Sequence, residues 1–262
     1  MKKDVSLSRL RNYNIIVGLI LLIQGIVMYF ISEDIRLPLT TSYIDPGKII
    51  PETLELGAFP VSQLSVVGDL QVSLLLALFL VLSGLFLLGS AFVWRKLYES
   101  QITRGMNLVR WTEYSITSSL MVVVIAMLCG VYDISSLILI FGLNACMILF
   151  GWMMEVHNQH TDKVDWTAYL FGCFAGVIPW IVMALYFFGA AANSSGAIPT
   201  FVYWIFGSLF VAFNVFSVNM ILQYAKVGKW SDYLYGEYAY ITFSLIAKAL
   251  LAWQVWFGIL RG

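Results

Sequence analysis

The chain has 262 residues, 60% of them hydrophobic and only 11% charged, with a formal net charge of zero. A soluble domain carries about 25% charged residues. This composition therefore points to an integral membrane protein with little room for a soluble domain, and the zero net charge gives no sign of a nucleic-acid partner. Seven apolar segments follow along the chain, roughly 14–32, 67–94, 108–131, 135–156, 166–191, 199–224 and 238–260. Each is near the length that spans a bilayer. The first starts near Ile15 with no clear small-residue cleavage site after it, so it reads as a retained helix.

Most connectors are short. "GVYDIS" is a tight turn between segments three and four, and "ANSSGAIP" links five and six. The exception is 33–66, which carries Pro38, Pro46, Pro51 and Pro60 and is too polar to span. Its "DPGK" at 45–48 is a turn signal between the β-leaning flanks "IRLPLTTSYI" and "IIPETLEL". The expected fold is an all-α seven-transmembrane helix bundle with a β-hairpin loop between helices one and two.

Basic residues set the expected orientation. With the N-terminus inside, the inner side holds Lys2, Lys3, Arg9, Arg11, Arg95, Lys96, Arg104, Lys163, Lys226 and Lys229. The outer side holds only Arg36, Lys48 and Arg261. The N-terminus is then cytoplasmic, and the hairpin and C-terminus are extracellular. Cys129, Cys146 and Cys173 fall in three different apolar segments, which predicts no disulfide. His157 and His160 share a polar loop and are a weak metal signal.

Lys248 stands in the middle of segment seven, in "SLIAKALLAWQ". Ten residues from Tyr238 place it roughly 15 Å deep, near the midplane. A charge there costs about 2.5–3.5 kcal/mol on insertion scales. Such a lysine can pair with a buried acid, lose its charge, or be covalently consumed. Glu113, in "NLVRWTEYSITSS", lies roughly 8–10 Å in from the same side. A lysine side chain reaches about 6 Å, so the two groups meet if their helices are neighbours. A plain buried ion pair is one reading. The other is a Schiff base with an aldehyde, for which Glu113 would be the counterion.

Other residues suit the covalent reading. Tyr114, Trp152, Trp180, Tyr203, Trp204, Phe206, Phe210, Phe213, Trp253 and Trp256 supply an aromatic environment of the kind that holds a long apolar ligand between helices. Ser244 is one turn before Lys248, and Thr117 one turn beyond Glu113, each on its partner's face. Ser83, Ser118, Ser119, Asn144 and Asn214 add hydroxyls and amides that also serve as interhelical contacts. There is no nucleophile–base pair on a shared face, and no enzyme is expected.

Along essentially its whole length the sequence resembles the heliorhodopsins. The matching stretches are "RWTEYSITSS", "NACMILFGWMMEVHN", "IPWI", "FNVFSVNMILQY" and "SLIAKALLAWQ". The resemblance implies all-trans retinal on Lys248 as a protonated Schiff base, with Glu113 as the sole carboxylate counterion. It implies Ser244 near the Schiff base, and Ser83, Thr117 and Ser118 in its hydrogen-bonding surroundings. Asn144, Met147 and Phe213 match pocket positions, beside Tyr114. It further implies one rhodopsin domain over 1–262, a homodimer with the hairpin in the contact, and photosensory signalling to an unknown cytoplasmic partner. The chain departs from the family at Leu21 and Leu87, where many members carry histidines near the Schiff base. A light-driven or light-gated proton transporter is the alternative. Transport calls for ionisable residues along a path, but the outer half offers only Asp69 and Asp133, near helix ends.

Overall fold

The computed structural model describes residues 6–49, 60–193 and 200–261. Within them the chain forms α1 (Leu7–Ile31), β1 (Arg36–Ile49), β2 (Pro60–Gln71), α2 (Val72–Ala91), α3 (Arg95–Ile102), α4 (Leu108–Leu128), α5 (Ile134–His157), α6 (Thr167–Asn193), α7 (Thr200–Tyr224) and α8 (Tyr233–Val255). A π-helical turn, Trp256–Leu260, extends α8. All the helices except α3 are long and apolar enough to cross a membrane. This is a multi-pass membrane protein with seven spans.

Polar side chains set several helix starts by accepting backbone N–H bonds. Ser6 caps α1 through Arg9 N, and Asn107 caps α4 through Arg110 N. Asp133 caps α5 through Ser136 N, and Asp232 caps α8 through Leu234 N. α1 and α2 cross closely because Gly18 and Gly84 lack side chains. A Cβ at Gly84 would lie 2.8 Å from the Gly18 carbonyl oxygen. α4 is the most enclosed span. α6 and α7 meet mainly through rings instead of closely packed backbones. Trp180 packs edge-on against Phe206, Phe210 and Phe213, and Phe187 stacks on Phe206.

The hairpin is present, but its register differs from the expectation. Arg36 to Asp45 pair with Gln71 to Val61, and Ile49 pairs with Pro60. "DPGK" therefore lies inside β1, at an irregularity between Asp45 and Ile49, and is not the tip. Most of the expected second flank, 49–56, lies outside the described residues. Pairing with 60–71 satisfies a long ladder of backbone groups, which outweighs the local turn preference of Asp-Pro-Gly. Two boundaries move for related reasons. Residues 67–71 are strand, so α2 begins at Val72, and α8 begins at Tyr233 instead of 238 because Asp232 caps its polar first turn. Between α2 and α4 the chain forms α3, which buries Tyr98 and Ile102. In the "ANSSGAIP" linker, 194–199 lie outside the described residues.

Candidate functional site

Lys248 lies near the middle of the 233–260 span, and its side chain is almost fully buried. Its Nζ donates to Glu113 Oε1 at 2.9 Å and to Ser244 Oγ at 2.6 Å. The same Glu113 oxygen accepts from Ser83 Oγ at 2.5 Å and from Thr117 Oγ1 at 2.8 Å. Helical spacing explains the convergence. Thr117 is one turn after Glu113 on α4, Ser244 is one turn before Lys248 on α8, and α2 turns Ser83 inward. The result is one lysine amine and one glutamate carboxyl group, held by three hydroxyls away from bulk solvent. At low local dielectric each of these bonds is electrostatically stronger than in water.

A cavity of about 430 Å³ opens from this pair. Sites for small apolar ligands run about 300–1,000 Å³. Lys248, Ser244 and Tyr114 belong to its lining, with Met121, Met147, Trp180, Phe210 and Phe213 among its apolar walls. Gly176 of α6 keeps the wall thin, since a Cβ there would lie 2.2 Å from Met147 Sδ. A mostly apolar cavity of this volume with a single amine in its lining fits an apolar aldehyde such as retinal. Lys248 would hold its aldehyde carbon, and the rings and methionines its polyene.

The expected site residues sort into three groups. Lys248, Glu113, Ser244, Thr117 and Ser83 converge on the pair. Tyr114, Ser118, Met147 and Phe213 line the cleft. Asn144 stands behind the wall, where its Nδ2 donates to Ser118 Oγ at 2.8 Å and to Ser119 Oγ at 3.0 Å. Of the aromatics, Trp204 points outward and is 69% exposed. Trp253 and Trp256 pack together with Phe257 near the end of α8, and Trp152 packs in a separate cluster. His157 pairs with Asp165 at 3.1 Å. The Thr167 side chain, with help from the Thr167 backbone and His157, holds the Asp165 carboxyl below the usual range.

Sequence reasoning missed two features. One is the small-residue face of α6, Gly172 and Gly176, which the spacing in "GCFAG" signals. The other is Arg110, near the start of α4. It is buried and forms ion pairs with both Glu155 and Glu237. Its position three residues before Glu113, on the same helix face, was the available signal.

No curated protein matches the chain in sequence. The family model described as Heliorhodopsin matches residues 10–260. With that match, seven spans and a hairpin after the first of them, the chain belongs to the heliorhodopsin family of retinal-type rhodopsins.

Proposed function

We propose that this chain is a light-sensing photoreceptor that does not pump ions, with all-trans retinal attached to Lys248 and Glu113 as its counterion. The observation that carries the reading is the placement of the buried Lys248 amine in the lining of the apolar cavity, 2.9 Å from Glu113. Retinal, when bound as an imine of Nζ with loss of water, supplies absorption of visible light and a change of shape. The protein residues do the rest. Glu113 holds negative charge beside Nζ, and Ser83 and Thr117 stabilise that charge by donating to the same oxygen. Ser244 fixes the nitrogen from the other side. Leu21 and Leu87 offer no imidazole to receive a proton from the site.

The distribution of acids favours sensing over transport. Asp69 pairs with exposed Arg36 on the hairpin, and Asp133 is spent capping α5. Among the described residues, no further carboxylate lies between Glu113 and the hairpin end. The excess of basic residues at the other end supports a cytoplasmic N-terminus, with an unknown signalling partner on that face. The paired strands present Ile44, Leu64 and Val66 on one face, each about two-thirds exposed, which suits a homodimer contact. The test is to purify the protein with all-trans retinal. A visible band that is lost in Lys248→Ala, with no photocurrent under voltage clamp, supports the reading. A colourless sample or a sustained photocurrent overturns it.

A further inference from the structure

At the end of the bundle opposite the hairpin, Arg110 of α4 lies between Glu155 of α5 and Glu237 of α8, hydrogen-bonded to both. The three residues are only 6%, 1% and 0% exposed. One guanidinium balances one carboxylate. With both acids ionised, the cluster would keep a surplus negative charge in a site closed to bulk solvent. Two carboxylates that share such a site do not both ionise. The ionisable groups facing Glu237 are Tyr98 of α3, Arg110 and Tyr114 of α4, Glu155 of α5, and Tyr233 and Tyr240 of its own helix. Arg110 is the one cation among them.

The two acids are not equivalent. Besides Arg110, Glu155 accepts from Asn107 N at 2.9 Å, Trp111 Nε1 at 2.6 Å and Tyr233 OH at 3.0 Å. Besides Arg110, Glu237 accepts from Asn107 Nδ2 at 2.7 Å and shares the Tyr233 hydroxyl with Glu155, so the donors that Glu155 holds to itself are Asn107 N and Trp111 Nε1. Hydrogen bonds donated to a carboxylate favour its charged form, so Glu155 is the better-solvated anion. The cluster is also joined to the Lys248 site. The Tyr114 ring lies 5.0 Å from Lys248 Nζ, and its hydroxyl donates to the Tyr240 carbonyl at 2.8 Å. The Tyr240 ring in turn lies 3.9 Å from the Arg110 guanidinium.

We propose that Glu155 and Glu237 together bind one proton, resting on Glu237, and that light absorbed at the Lys248 site perturbs it through Tyr114 and Tyr240. The light-dependent half rests on the photoreceptor reading; the dark proton does not.

Infrared spectroscopy of the purified full chain in lipid tests both halves. In the dark, a protonated-carboxyl C=O band is expected that shifts on labelling glutamate with ¹³C and on exchange into D₂O. Glu237→Gln and Glu155→Gln should each abolish it, because either one removes the surplus negative charge. Glu113→Gln should keep it. If no such band exists in the unmodified protein, or if it survives in both variants, the proton site is wrong; the first check needs no variant to fold. In a coloured sample, light should shift or bleach the band. An unchanged band in a sample that does bleach in the visible overturns the coupling and leaves the photoreceptor reading standing. A colourless sample that keeps the dark band does the reverse.

Discussion

Lys248 Nζ and Glu113 Oε1 lie 2.9 Å apart although the backbones of α8 and α4 scarcely touch. The long lysine stem closes the gap, and the space beside it is the cleft. Neither partner is stable alone at that depth, because removing one member of a buried pair leaves an uncompensated charge.

Lys248→Ala should therefore abolish the visible chromophore and destabilise the protein. Breaking a buried pair costs about 3–5 kcal/mol, and the Ser83 and Thr117 donors that remain on Glu113 place the loss toward the lower end. Adding Glu113→Gln to Lys248→Ala should recover most of it. Thermal unfolding in one detergent, alongside absorption spectra, checks both points. A single variant that keeps its visible band would remove Lys248 from the site.

Ser83→Ala tests how much the hydroxyl contributes to holding Glu113. A hydrogen bond to a charged group is worth about 1.5–3 kcal/mol. Ser90, two turns on in α2, donates back to the Phe86 carbonyl at 2.9 Å and is a matched control. Ser83→Ala should lower stability more than Ser90→Ala and shift the absorption band. Equal effects on stability and unmoved spectra in both variants would show that the Ser83 bond contributes nothing to the site.

Much of this was legible in the sequence because membranes simplify the problem. Every spanning backbone group must be satisfied within its helix, so seven apolar runs became seven spans. Lys248 and Glu113 stood out because charge in such runs is costly, and Ser244 and Thr117 followed from helical spacing. Arg110 lies near a helix start, and sequence distance from a boundary does not report what packs across it. Its partners come from α5 and α8, 45 and 127 residues away. The hairpin register was hidden for the same reason: which strand pairs with Arg36–Asp45 depends on the ladder formed, and a local turn signal at "DPGK" says nothing about 60–71.

The hairpin face gives a prediction about assembly. Ile44, Leu64 and Val66 share one side of the paired strands, and Thr40 N anchors the pair to the Tyr132 carbonyl at 2.9 Å. A paired Leu64→Glu and Val66→Glu change should weaken a dimer by placing like charges across its contact. Mass measurement in lipid nanodiscs reads the result. A wild-type monomer, or a variant dimer of unchanged strength, would refute the role of this face.

Illumination should drive no sustained proton export. Asp69 and Asp133 are engaged at the hairpin end, and imidazole is absent at Leu21 and Leu87. A suspension of expressing cells should show no light-induced pH change. A change that an uncoupler abolishes would return transport as the leading reading.

Glu113→Gln gives the sharpest test of the counterion. The substitution keeps the shape and removes the negative charge beside Nζ. Gln retains an oxygen able to accept from Ser83 and Thr117, so the hydroxyls can hold their positions. What changes is the field at the lysine nitrogen, and in this buried site that field is little screened. The absorption should move well away from wild type. It shifts to the red if the imine proton is kept, since positive charge then spreads along the polyene. It shifts to the near ultraviolet if the proton leaves. Among the described residues no carboxylate other than Glu113 pairs with Nζ, so no nearby protein group is placed to substitute as counterion. Added chloride, a small anion able to enter such a site, should therefore move the band part of the way back, and sulfate, which is larger, should not. A Glu113→Gln spectrum that matches wild type at every pH would show that the counterion lies elsewhere.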